Sequence, residues 1–122
     1  MTLKSLRPVE WVGSSYRDFT AFPDPVQDEM GFALYQAQTG RMDRSAKPLR
    51  GFGGAGVVEL VENHDGDTYR AVYTVKFEEA VYVLHAFQKK SKKGAATPEM
   101  DIDLVVKRLK IVEADHRKRR KD

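Results

Sequence analysis

The sequence predicts an α+β fold, in which two helices and a small antiparallel sheet are followed by a last helix. Three observations carry this. Apolar residues recur at helical spacing over about residues 15–39, where an apolar stripe marks the buried face of a helix. From Val57 the pattern changes to β-branched and aromatic runs broken by turn residues, the mark of strands. After Thr97-Pro98-Glu99 the helical spacing returns. At 122 residues the chain reads as one domain, residues 1–122, of a size that folds without staples.

Taken in order, Leu6 to Val12 reads as an edge strand, because Pro8 has no amide to give to a central ladder. "SSYRDFTAFPDPV" offers Ser14 or Ser15 as the cap of a short helix that ends at Pro23. Asp24 then reads as an N-cap, with Pro25 at the first helical position and Gln27 three residues after the cap. Val26, Met30, Ala33, Leu34 and Ala37 form the stripe of that second helix, and Gly40 stops it. "VVELV", "TYRAVYTVKF" and "AVYVLHAF" read as a three-stranded antiparallel meander, joined through "NHDGD" and Glu78-Glu79. Thr97-Pro98-Glu99 opens the last helix, whose apolar stripe is Ile102, Val105, Val106, Leu109 and Val112. Past His116 the segment "RKRRKD" is expected to fray into a basic tail, about residues 117–122. The helices are expected to pack on one face of the sheet.

Composition excludes several classes. There is no cysteine, so disulfides and cysteine-ligated zinc are ruled out, in keeping with a reducing, cytoplasmic location. No run approaches the roughly 18 apolar residues of a membrane span. The net charge of +3 hides an asymmetry. Residues 1–88 hold 9 Lys/Arg against 12 Asp/Glu, whereas residues 89–122 hold 12 against 6. A localised basic region is the electrostatic footprint of a polyanion partner, since each neutralised phosphate releases counterions; a solubilising tail would look the same from charge alone.

"GFGGAG" at residues 51–56 fits G-x-G-x-x-G, yet a strand rather than a helix follows it, so it reads as a flexible loop and not as a pyrophosphate cradle. His64, Asp65 and Asp67 share a tight turn, while His85 and His116 stand far apart in sequence. No pair has metal-ligand spacing, and neither a metal nor a cofactor is expected. Ser14, Ser15, Ser45 and Ser91 read as caps or loop residues rather than nucleophiles.

The remaining chemistry is cationic. In "YVLHAFQKKSKK" a hydrophobic strand runs into Lys89, Lys90, Lys92 and Lys93, four lysines within five residues. Arg70 and Lys76 are an even number of residues apart, so in an unbroken strand they share a face. With helices on the opposite face, this one reads as an open floor carrying cations; surface snorkelling over strand neighbours is the bland alternative. Alternation from Val81 and Val83 places His85 with Phe87 on the valine face. It is the one imidazole near the lysines, able to transfer protons if it is not simply a hydrogen-bonded strand residue.

"LRGFGGAGVVELV", "GDTYRAVYTVKF" and "AVYVLHAFQKKSKKGAATP" together resemble the phage-derived HigB-like branch of the RelE/ParE toxin superfamily, over roughly Trp11 to Leu109. The resemblance implies a RelE-like microbial ribonuclease fold and the toxin of a type II toxin–antitoxin system. The activity it implies is metal-independent cleavage of mRNA on the translating ribosome, and the partner a helix-turn-helix antitoxin of the HigA type in a hetero-oligomer. It also implies that Arg70 with Lys89 and Lys90 binds and polarises the scissile phosphate, Lys90 being the favoured catalytic lysine and His85 a candidate for proton transfer. Lys47, Arg50, Tyr73, Lys76, Lys92 and Lys93 complete the expected RNA-binding set. Two departures matter. Lysine stands past the last strand where several RelE-like enzymes carry arginine, and a bidentate fork thereby becomes a point charge. The superfamily also holds ParE-type gyrase poisons on the same fold, so a gyrase inhibitor, or a module that binds nucleic acid or antitoxin without chemistry, is the competing function.

Overall fold

The structure, a computed structural model, describes residues 6–54, 56–89 and 97–121. Its elements run β1 (Val9–Trp11), α1 (Ser15–Thr20), α2 (Asp24–Gln38), β2 (Ala46–Pro48), β3 (Val57–His64), β4 (Asp67–Thr74), β5 (Val81–Lys89) and α3 (Glu99–Lys121). The strands form one five-stranded sheet in the order β1-β5-β4-β3-β2.

The meander is antiparallel as expected, and β1 is an edge strand, but the sheet is mixed: β1 runs parallel to β5, with Val9 opposite Val81 and Trp11 opposite Val83. Pro8 lends its carbonyl to Val81 N at 2.9 Å, so the proline sits where only an acceptor is needed. The second addition is β2, three residues that pair with β3 at the far edge. Between β3 and β4 the chain turns on Asp65 (φ 49°) and Gly66 (φ 85°), the left-handed pair that a two-residue hairpin demands.

Helices cover both faces of the sheet, and this corrects the one-faced packing read from the sequence. On one face α1 and α2 bury Phe19, Val26, Met30 and Leu34 against Leu60, Tyr69, Tyr73, Val81 and Val83. On the other, Val105, Leu109 and Val112 of α3 pack on Val57, Val72, Phe77, Tyr82 and Leu84. Each buried Leu or Val contributes on the order of 1.5–3 kcal/mol, so α3 is a second wall of the core. It also continues to Lys121, so the segment expected to fray after His116 is helical through that residue.

Two helix starts differ in detail from expectation. Pro23 occupies the N-cap of α2, Asp24 is already helical, and no side chain caps that end. Gln27 instead turns back, its Nε2 donating to the carbonyls of Phe22 (2.8 Å) and Thr20 (3.0 Å). At α3 the Pro98 carbonyl accepts from the Asp101 and Ile102 amides, and the Thr97 hydroxyl goes elsewhere. No helix among the described residues is long and apolar enough to cross a membrane.

One irregularity interrupts the pairing of β4 with β5. Tyr73 lies opposite Val83 and Val72 opposite His85, so Leu84 is an extra residue in β5, a β-bulge. Its neighbourhood is well anchored. The Val83 carbonyl accepts from Val12 N (3.0 Å) and Ser15 Oγ (3.1 Å), and the Leu84 carbonyl accepts from Arg108 Nη1 (2.9 Å). Arg108 Nη2 donates in turn to Ser14 Oγ (3.1 Å). Gly13 makes room for this guanidinium: it sits at φ +58°, and a Cβ there would lie 2.9 Å from the Arg108 side chain.

Candidate active site

The bulge redirects the end of β5. Val81 and Val83 face α1 and α2, whereas Leu84 and His85 both face α3, and regular alternation then carries Phe87 and Lys89 to the α3 side. His85 therefore does not share a face with the two valines, as unbroken alternation required. It shares one with Arg70, Val72 and Lys89. Phe87 lies directly opposite Arg70, so His85 and Lys89 are the diagonal neighbours of Arg70 on β5, roughly 7–8 Å away between Cα atoms. On the other flank Val61 lies opposite Arg70, which makes Glu59 a diagonal neighbour on β3.

The floor on which these residues sit is covered, not open. Arg70 is 5% exposed, His85 6% and Lys89 6%. Arg70 Nη1 donates to Glu59 Oε2 (3.1 Å) and to Thr97 Oγ1 (3.1 Å). The Thr97 hydroxyl donates to the same Glu59 oxygen. His85 stacks on Phe87, with ring centroids 4.7 Å apart. Its Nε2–H donates to Asp101 Oδ1 at 2.7 Å, while Nδ1 is buried with no hydrogen-bond partner among the described residues. Burial, and then the neighbouring Arg70 charge, push the Lys89 ammonium below the ordinary lysine range, with Glu59 and Asp101 acting in the opposite sense. Two cations, an imidazole and two carboxylates thus meet where the start of α3 crosses the sheet.

The other expected residues are dispersed. Lys47 lies on β2 opposite Glu59 and is exposed, at the rim of the cluster. Arg50 is exposed in the turn after β2. Lys76 lies beyond the end of β4, where its Nζ pairs with Glu113 Oε2 of α3 at 2.6 Å, away from Arg70. Tyr73 is 0% exposed in the core beneath α1 and α2, and burial pushes its hydroxyl up to about 12. As a fully buried core ring it offers RNA no surface, which corrects its place in the expected binding set. Lys90, Lys92 and Lys93 lie outside the described residues. Of the two adjacent lysines, Lys89 is the one seen on the face of Arg70.

Sequence reasoning passed over Glu59, Thr97 and Asp101. Glu59 had left a signal, being the one carboxylate inside "VVELV". Asp101 and Glu99 read equally well as acids that favour a helix N-terminus, and Thr97 as a cap.

A protein-family profile described as "Phage derived protein Gp49-like (DUF891)" matches residues 17–110, most of the chain and all of the cluster. The chain belongs to this family. The Gp49-like family is of the RelE/HigB toxin type, in agreement with the resemblance carried by the strand motifs. Among solved structures, a double mutant of the E. coli toxin RelE in the free state is similar, with a TM-score of 0.51 and 17% identity over 67% of this chain and 82% of that one. The RelBE2 toxin–antitoxin complex from Mycobacterium tuberculosis gives 0.48 and 22%, covering 70% of this chain and 100% of that one. At 17% identity the likeness to RelE shows the fold alone. No curated protein matches.

Proposed function

We propose that this Gp49-like protein is the toxin of a type II toxin–antitoxin system and a metal-independent endoribonuclease. It acts in the cytoplasm on mRNA, at the translating ribosome, and is held in check by a helix-turn-helix antitoxin of the HigA type. The observation that carries the reading is the convergence of Arg70, His85 and Lys89 on one sheet face. Phosphoryl transfer from RNA requires little covalent help from protein. It requires cations at the phosphate oxygens where charge builds up, and groups that move two protons.

In this reading the ribose 2′-hydroxyl attacks the adjacent phosphorus. Arg70 and Lys89, with Lys90 beyond the strand, stabilise the equatorial oxygens, while Lys47, Arg50, Lys92 and Lys93 hold the RNA backbone. The strand ends in lysines because the phosphate is bound there. A lysine lowered by burial also stands nearer to proton exchange than an ordinary one, so Lys89 is equipped for acid–base work as well as for charge. RNA reaches the floor by taking the place of the Thr97 hydroxyl.

The test is to add the purified full chain to free RNA and to mRNA on programmed ribosomes and to read the cut ends. Attack by the 2′-hydroxyl leaves a 2′,3′-cyclic or 3′-phosphate and a 5′-hydroxyl. Intact RNA accompanied by gyrase-linked DNA breaks would instead identify a ParE-type poison, and 5′-phosphate ends would overturn the mechanism.

A further inference from the structure

We infer that the outer face of α2 is an interface with a second copy of this chain, the two helices lying antiparallel about a two-fold axis. Val26, Met30, Ala33, Leu34 and Ala37 take up the buried side of α2. On its other side Phe32 and Tyr35 stand 59% and 50% exposed. Asp28 and Gly31 are exposed beside them, at the three-, four- and seven-residue spacings that make one ridge of a helix. Two large rings outside the core serve no packing need of the single chain.

Gly31 is the second observation. It sits inside α2, where glycine is the least favourable residue after proline. Neither usual reason for a glycine applies: its φ lies outside the left-handed region, and a Cβ built on it meets nothing within 4 Å. The room it leaves is outside the chain, and helix axes approach most closely where the contact residues are small. The charges supply the third. The first half of α2 carries Asp24, Asp28 and Glu29, and the helix holds no Lys or Arg. Its other end closes in a Schellman turn, with Gly40 at φ +87°, the Gly40 amide on the Ala37 carbonyl (3.1 Å) and the Arg41 amide on the Gln36 carbonyl (2.8 Å). The turn holds Arg41 against the helix end. Asp28 and Arg41 are both exposed, and neither has an ion-pair partner among the described residues.

The face is thus acidic at one end, aromatic in the middle and basic at the other, and so complementary to itself when turned end for end, as an isologous contact requires. Placing Phe32 of one copy opposite Tyr35 of the other centres the pair between residues 33 and 34. At 1.5 Å per residue, Asp28 then lies about 8 Å to one side of the centre, and Arg41 of the second copy about 10 Å to the same side. Two Phe32–Tyr35 contacts are flanked by two Asp28–Arg41 pairs. A basic partner protein would suit the acids but set a like charge against Arg41, whereas a second copy suits both ends. Because α2 and α3 pack on opposite faces of the sheet, the pair holds its two Arg70 clusters back to back, both turned outward. The pairing does not depend on the ribonuclease reading.

Sedimentation equilibrium of the purified full chain over a concentration series tests the inference. One helix pair is a small interface of the weak or transient class, so self-association in the micromolar range is expected. Phe32→Ala, which truncates an aromatic anchor twice per dimer, should raise the dissociation constant about tenfold or more. Gly31→Ala should move two readouts in opposite directions: the unfolding midpoint rises, because alanine is the better helix former, while the dimer is lost. Asp28→Arg and Arg41→Asp should each be monomeric, and an equal mixture of the two should dimerise again, since each supplies the charge that the other needs. A chain that is monomeric at every concentration, a dimer unmoved by Phe32→Ala and Gly31→Ala, or a mixture of charge variants that stays monomeric would overturn the inference. Loss of antitoxin binding in Phe32→Ala, with no self-association in the wild type, would assign the face to the antitoxin and equally refute it. Cleavage of RNA by any of these variants leaves the ribonuclease reading as it stands.

Discussion

Replacing Arg70 by alanine does two things at once, and the structure gives a size for each. The side chain is 6% exposed and its partner Glu59 13%, so truncation strands a buried carboxylate. Removing one member of such a pair costs about 3–5 kcal/mol, most of it the unpaired charge left behind. Small domains are stable by about 5–15 kcal/mol in total, so the variant forfeits a large share. At roughly 4 °C per kcal/mol for a chain of this length, its Tm should drop by about 12–20 °C. Loss of growth inhibition by Arg70→Ala therefore says little about chemistry unless folding is measured beside it. Adding Glu59→Gln in the alanine background should recover part of the loss by removing the stranded charge, a coupling that a double-mutant cycle reads directly. Arg70→Lys keeps a cation and should fold close to wild type, but lacks the planar fork and should cleave about 10²–10³-fold more slowly. Calorimetry and a cleavage assay on the same preparations separate the two effects. An alanine variant within about 1 kcal/mol of wild type would refute the buried pair on which this reasoning stands.

Tyr73→Phe should stabilise the protein by about 1–3 kcal/mol in neutral solution, because it removes a buried hydroxyl that has no hydrogen-bond partner among the described residues, and it should leave RNA affinity unchanged. The same variant should resist alkali: with the folded hydroxyl at about 12 and the unfolded one near 10, the wild type loses up to about 2.7 kcal/mol as pH rises from 10 to 12, a loss that urea titrations across that range should find missing from the phenylalanine protein. Lys89→Met should also stabilise at neutral pH while abolishing cleavage. The folded lysine sits below its unfolded value, so the unfolded chain holds more protons between the two, wild-type stability rises with pH there, and the gap between the proteins should narrow; a methionine variant less stable than wild type at pH 7 would contradict that direction.

The elements most legible in the sequence are those whose pattern is complete within themselves. The stripe from Val26 to Ala37 and the Thr97-Pro98-Glu99 start specify their helices locally, and the β-branched runs from Val57 to Phe87 specify the meander. The strand β2 escaped notice because "AKP" is too short to alternate and ends on a proline. The parallel pairing of β1 with β5 joins residues about 70 apart and leaves no local mark. The position of α3 escaped for a different reason: its stripe fits either face equally well, and the cations Arg70 and Lys76 suggested an open surface. Arg70 is in fact covered by Glu59 and Thr97, Lys76 is paired with Glu113 of α3, and His85, read onto the other face, meets Asp101 of α3. A polar residue in a buried strand declares that it has a partner, and only the fold says which.

The bulge at Leu84 lets one strand keep two phases. Residues 81–84 answer to the packing of the helices and residues 85–89 to the cluster, and the extra residue between them separates the two demands. Length variation among relatives should respect this division. A relative one residue shorter at Leu84 would keep the counterparts of His85, Phe87 and Lys89 on their present side, its strand becoming regular. A relative one residue shorter anywhere between 85 and 89 would turn whatever follows the gap toward α1 and α2, and could keep its cations on the cluster side only through a compensating insertion nearby. Gaps tolerated at the bulge and forbidden after it would be the trace of that constraint in sequences whose individual residues have otherwise diverged.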